Sequence, residues 1–178
     1  MGLQYENLDG ATRKFMLEEI DMDIWSDVIY RSPYLTQRGQ GNWPDHLRDA
    51  AANGNDDSLA ASVKGQFNQT TQRRKPKGGG YYTAAVPVNA AEVIAESEFN
   101  RYFVRGLCRR AIAEGIRRLQ VFRAKIVAQP RPESQRLIDL LIDPEVVLID
   151  VRNSIGVETA LGIPPGPGSG ITIRIPRT

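Results

Sequence analysis

The stretch NAAEVIAESEFNRYFVRGLCRRAIAEGIRRLQVFRAKIV, residues 89–127, decides the fold. Asn89 is a helix-capping residue and Gly115 a helix-ending one, so the spacing predicts a helix over 90–114. Its first half carries Glu92, Glu96 and Glu98, and its second half Arg101, Arg105, Arg109 and Arg110. That order suits the helix dipole. Phe99, Phe103 and Leu107 recur every fourth residue, an apolar stripe that should face a core. Beyond Gly115, LQVFRAKIV (119–127) alternates as a strand, with Leu119 and Val121 on one face and Phe122, Ala124 and Ile126 on the other.

Toward the N-terminus, Asp9 caps a helix over 10–29, whose Met16, Ile20, Ile24 and Val28 share one face. Residues 32–41 read as a turn and connection. Pro44 opens a short helix over 44–52 anchored by Trp43 and Leu47. Asn53 to Asp57 is a break, and Asp56 or Asp57 caps a helix to Val63. Toward the C-terminus, Pro130-Arg131-Pro132 enforces an extended stretch. Asp143-Pro144-Glu145 starts a helix that should run to Asn153. Residues 163–170, IPPGPGSG, make a surface-following linker. Ile171, Ile173 and Ile175 then alternate as a strand with one apolar face, able to join a sheet edge of its own chain or of a neighbour.

Residues 65–88 are the least globular part, with Arg73, Arg74, Lys75 and Lys77 ahead of three consecutive glycines and Tyr81-Tyr82. They read as an extended arm or long hairpin, the kind of irregular segment that is usually functional. The expected class is therefore α+β: a small mixed body around a long central helix, with an extended basic arm and a Pro/Gly-rich C-terminal arm ending in a strand. The expected segments are 1–64 (helical), 65–88 (basic arm), 89–161 (α+β core) and 162–178 (C-terminal arm). A chain of 178 residues suits one domain with arms and can bury a real core.

Charge is sorted along the chain. Residues 1–63 hold 11 acidic and 5 basic side chains, net −6; residues 64–128 hold 13 basic and 4 acidic, net +9; residues 129–178 hold 5 basic and 6 acidic, net −1. A chain arranged this way can attract a copy of itself or a polyanion. One Cys excludes an internal disulfide framework. No apolar run approaches the roughly 18 residues a membrane span needs, so no membrane contact is expected. The first residues, MGLQYENLDG, have neither the basic nor the apolar region of a signal peptide.

Chemistry-bearing patterns point to binding rather than catalysis. Glu19, Asp23 and Asp27 stack at every fourth position, with Glu18 and Asp21 nearby. They could hold a divalent cation, but no companion His follows, and a solvated face or a basic neighbour is the plainer reading. Arg101, Arg105 and Arg109 line one side of the long helix and repel one another unless acids offset them. Residues 18–27 supply such acids, from the same chain or from a neighbour. Arg73, Arg74, Lys75 and Lys77 combine charge with aromatic rings as a nucleic-acid contact does, although neither phosphate-loop pattern is present. Cys108 lies beside guanidinium groups, yet next to the core stripe, where a thiol is inert. His46, the only histidine, reads as structural.

The segments NLDGATRKFMLEEIDMDI (7–24), VPVNAAEVIAESEFNRYFVRGLCRRAIAEG (86–115), PRPES (130–134) and LGIPPGPGSGITIRIP (161–176) resemble a family of uncharacterised proteins of tailed bacteriophages and prophages. The resemblance implies a virion structural protein, either a cement or minor head protein of the capsid or a connector of the head–tail neck. It carries no catalytic motif. The expectation is thus a non-enzymatic, cofactor-free homo-oligomer that contacts the major capsid protein, portal or neck proteins. It would reside in the host cytoplasm during assembly and in the virion afterwards. The interface candidates are Glu19, Asp23, Asp27, Arg101, Arg105, Arg109, Ile171, Ile173 and Ile175. Arg73, Arg74, Lys75 and Lys77 are the candidates for a nucleic-acid accessory role, the alternative reading. On the interface reading, Glu19→Lys with Asp23→Lys should abolish assembly and leave the monomer folded.

Overall fold

The structure, a computed structural model, describes residues 2–177. Its organising element is the helix expected from the sequence, α4 (Ala90–Glu114), ended by Gly115 in the left-handed conformation, φ 71°. Burial along α4 is far wider than one stripe. Phe99, Phe103 and Leu107 are fully buried, Ala95 and Ala111 continue their row, and Val104 and Cys108 are fully buried beside it. Glu96, Glu98, Asn100, Arg101 and Arg105 are buried as well, so the helix is enclosed on several sides and its charged groups need partners. Here α1 (Gly10–Trp25), α3 (Asp56–Val63) and α6 (Pro144–Asn153) pack around it.

The local signals that start these helices are side-chain caps. Asp9 accepts from the Thr12 amide, and Asp143 accepts from the amides of Glu145 and Val146 ahead of α6. Asn55 caps α3 in a reciprocal pair with Ser58, rather than Asp56 or Asp57. Asp56 instead turns inward and accepts from the Leu3 amide at 2.9 Å. Helix α1 stops at Trp25, earlier than the apolar spacing suggests, because Asp27 takes a positive φ of 50° and Val28 is exposed.

Helix α2 (Gln37–Asn53) corrects the turn expected over 32–41. It begins seven residues before Pro44, capped by the Thr36 hydroxyl, which accepts from the Gly39 amide. Trp43 and Leu47 are its buried anchors, as expected. Tertiary packing overrides the poor helix propensity of its two glycines and internal proline.

A three-stranded antiparallel sheet lies against this bundle, in the order β4 (Leu141–Ile142), β3 (Leu119–Arg123), β5 (Ile171–Arg174). Val121 pairs with Ile173 and Leu119 with Ile142. Leu119, Val121, Ile171 and Ile173 enter the main core, while Phe122 and Ala124 pack with Leu3 on the opposite face. β3 ends at Arg123, so Ile126 falls outside it and is exposed. Arg131 is extended, as expected of Pro130-Arg131-Pro132, and a short helix, α5 (Pro132–Gln135), starts directly after it.

The C-terminal segment is part of the body, not a free arm. Ile171, Ile173 and Thr172 are fully buried. Asn100 on α4 donates to the Ile171 carbonyl at 3.0 Å and accepts from the Thr172 hydroxyl at 2.5 Å. Glu96 accepts from the Gly168 amide, and the Asn7 side chain from the Ile175 amide. The strand joins its own sheet because β3 offers an edge whose inward side chains already match its isoleucines.

The segment over 65–88 does project. β1 (Thr70–Arg74) and β2 (Tyr81–Ala85) form a separate antiparallel hairpin in which only Thr71 and Ala84 are half-buried. Gly78, Gly79 and Gly80 all adopt positive φ, 78°, 88° and 111°. Three consecutive residues there are accessible only to glycine at low energy, which explains the run. The root is pinned where Leu35 bridges Phe67 and the Asn68 amide donates to the Tyr34 carbonyl.

Candidate functional site

The acidic face of α1 and the basic face of α4 meet inside one chain. Arg105, 1% exposed, donates through Nε to Glu19 Oε2 at 2.7 Å. Its terminal nitrogens fork onto the Asp23 carboxylate at 2.5 and 2.9 Å. The Tyr102 hydroxyl also donates to Asp23, at 2.7 Å. Arg152 from α6 adds two bonds to Glu19, and Arg109 pairs with Glu18 at 2.8 Å and Glu19 at 3.4 Å. Burial opposes the charge on Glu19, but Arg152 and Arg105 outweigh it and hold the carboxyl below the usual glutamate range. Asp23, with Tyr102 and Arg105, completes a network satisfied on nearly every atom, the condition under which buried charge is tolerated.

This placement settles the alternatives left open for these side chains. Glu19, Asp23 and Arg105 are consumed within the chain, and Ile171 and Ile173 lie in the core, so all five are buried in the single chain. Glu19→Lys with Asp23→Lys would set two ammonium groups against Arg105 and unfold the chain, contrary to the expectation of an intact monomer. Ile175 is half-buried, and Asp27 pairs with Arg31 one turn on, exposed, at 3.3 Å. Arg109 keeps partial exposure over the Phe15 ring. Cys108 is fully buried, and burial pushes its thiol far above the reactive range. His46 meets the Gln66 side chain at 2.8 Å, a structural contact. Among the described residues no three His, Cys, Asp or Glu side chains are grouped to hold a metal ion, and no helix is long and apolar enough to cross a membrane.

The four hairpin cations behave differently. Among the described residues no carboxylate lies within ion-pair distance of Arg73, Arg74, Lys75 or Lys77, and all four are exposed. The nearest acidic residues in the chain are Asp57 and Glu92. Arg73 reaches only the Tyr34 hydroxyl, at 3.4 Å. Beside them Tyr81 and Tyr82 are 68% and 42% exposed.

Arg101 takes a third course and leads to a cavity that sequence reasoning missed. Its terminal nitrogens donate to the carbonyls of Ser154 and Val157, the latter at 2.8 Å, while its buried Nε has no hydrogen-bond partner. The nearby Glu98 Oε1 is 3.7 Å away, an ion-pair distance too long for a hydrogen bond. Above this pair lies a cavity of about 370 Å³ walled by Tyr30, Tyr34, Val93, Ile94, Pro164 and Pro167. Residues from 30–34, 87–101 and 156–167 build it, so no local pattern announces it. The one available signal was Glu98 itself, an acid one residue before the core stripe.

Burial pushes the Glu98 carboxyl from 4.5 up to about 7, with Asp23 adding to the rise and Arg101 and Arg105 opposing it. Between those values the folded chain binds a proton that the unfolded chain has released. Ionisation of Glu98 therefore lowers stability as pH rises through this window. Glu98→Gln, which mimics the protonated carboxyl, should be nearly neutral at pH 4.5 and stabilising at pH 8, by on the order of 3 kcal/mol. Thermal denaturation of both proteins across pH reads this directly. A difference independent of pH would contradict it.

No protein family, curated protein or solved structure matches the chain.

Proposed function

We propose that this chain is a structural protein of a tailed-bacteriophage virion, acting through protein–protein contacts in a symmetric assembly at the capsid or the head–tail neck. The observation that carries the reading is the projecting hairpin. A two-stranded ribbon with no packed face is marginal in water on its own. Among the described residues neither outer edge of β1 and β2 has a strand partner, and such edges are templates for pairing with another chain. In the body beneath, Glu19, Asp23 and Arg105 satisfy one another, whereas the four hairpin cations have no carboxylate partner among the described residues. The four phage-like sequence segments lie mostly in that body and support the same class.

The test replaces Arg73, Arg74, Lys75 and Lys77 with Ala, all exposed positions where folding should survive. The variant should fold like the wild type and be lost from purified particles. Full incorporation would overturn the role given to the hairpin.

The same four cations beside Tyr81 and Tyr82 favour a second reading, a nucleic-acid-binding accessory protein. That reading requires DNA affinity with a log–log salt slope of about −3 to −4 for four phosphate contacts, abolished in the same variant. Particle incorporation without DNA affinity decides for the structural role.

A further inference from the structure

We infer that the cavity above Glu98 receives the lysine-bearing hairpin tip of a second copy of this chain. The inference rests on the assembly reading and specifies its contact.

The cavity is at the small end of ligand sites, suited to long side chains rather than a folded element. Its walls are apolar and aromatic, which accommodates alkyl stems and offers the rings of Tyr30 and Tyr34 to a cation. Its charged groups are Glu98 on the floor, Glu158 on the rim and Arg101. The Arg101 guanidinium is directed at two backbone carbonyls and approaches Glu98 no closer than 3.7 Å, so two carboxylates face one cation whose bonds are already turned elsewhere. Glu98 is 3% exposed and lacks any hydrogen bond to Arg101. An ammonium on an apolar stem would give Glu98, which takes a side-chain hydrogen bond from Ser97, a closer cation than Arg101.

The chain carries matching groups at the hairpin turn. Lys75 and Lys77 are exposed and have no carboxylate partner among the described residues. They cannot fill the cavity of their own chain. The hairpin root borders the cavity at Tyr34 and Pro87, and five paired residues carry the turn roughly 17 Å away along the strand. The donor must then be another copy. Tip into cavity is a head-to-tail contact between two different surfaces, which propagates and closes into a ring when the rotation permits.

Complementation tests this. One variant closes the cavity with Val93→Trp and Glu98→Gln; Val93 is 40% exposed, so the larger ring is tolerated by the fold. The other removes the tip with Arg74→Ala, Lys75→Ala and Lys77→Ala. Light scattering should find the wild type assembled and each variant alone at the 19.8 kDa of one chain. Mixed, they should form a complex of two chains and no larger, one giving the tip and the other the cavity. A variant carrying both sets of changes should join neither. A monomeric wild type, or a mixture that stays monomeric, overturns the inference. Wild-type assemblies that persist in both variants also overturn it, yet leave the assembly reading standing. That reading fails separately, if the wild-type chain is absent from particles.

Discussion

Arg105→Ala is expected to destabilise the protein by about 3–5 kcal/mol, the range found when one member of a buried charge network is removed. The truncation leaves Asp23, 6% exposed, with the Tyr102 hydroxyl as its remaining side-chain donor among the described residues. Glu19 fares better because Arg152 still reaches it. For a chain of this length each kcal/mol lowers the melting temperature by about 2–4 °C, so a fall of roughly 10 °C should appear in calorimetry. The deficit should narrow in acid. Glu19 is held below the usual glutamate range, so its stabilisation is present above pH 4.5 and is lost as pH falls through its folded value. A loss under 1 kcal/mol at pH 7 would mean that the network is solvated and that its charges are free for partners after all.

Gly106→Val should be as damaging, through a different cause. A Cβ at Gly106 would lie 2.5 Å from Met16 Cγ, 2.9 Å from the Met16 backbone nitrogen and 3.1 Å from the Thr12 carbonyl oxygen. The methionine side chain can move aside, but the backbone of α1 cannot do so without leaving α4. That displacement would also separate Glu19 from Arg105, one residue away. Gly106→Ala already tests the contact. Helix propensity alone favours alanine by about 1 kcal/mol, whereas overpacking costs about 1–3 kcal/mol. Urea denaturation should show Gly106→Ala neutral to destabilising and Gly106→Val worse by several kcal/mol. A stabilising Gly106→Ala would mean that the two helices do not touch there.

How much of this was legible in the sequence follows from how local each cause is. The bounds of α4 and α6 could be read from Gly115 and from Asp143-Pro144-Glu145, because terminal residues act within one turn. The first half of α2 could not. QRGQGNW has weak propensity, and only its packing under residue 66 and against the core makes it helical. β4 is two residues long and exists only because β3 lies beside it. The acidic face of α1 and the basic face of α4 were visible, but not that they close on each other, since that depends on an antiparallel crossing which brings residue 19 to residue 105. The alternation of Ile171 and Ile173 named a strand, while its place in its own sheet depended on Asn100. The cavity drew on loops at 30–34, 87, 156–158 and 164–167, which no spacing rule connects.

The most direct measurement of the central claim is the copy number of this chain in purified phage particles from a host that carries its gene, by quantitative mass spectrometry after density-gradient separation. The structural reading predicts co-migration with the major capsid protein at a fixed number of copies per particle, resistant to high-salt washing. Absence from the particles, or a trace that salt removes, would contradict it.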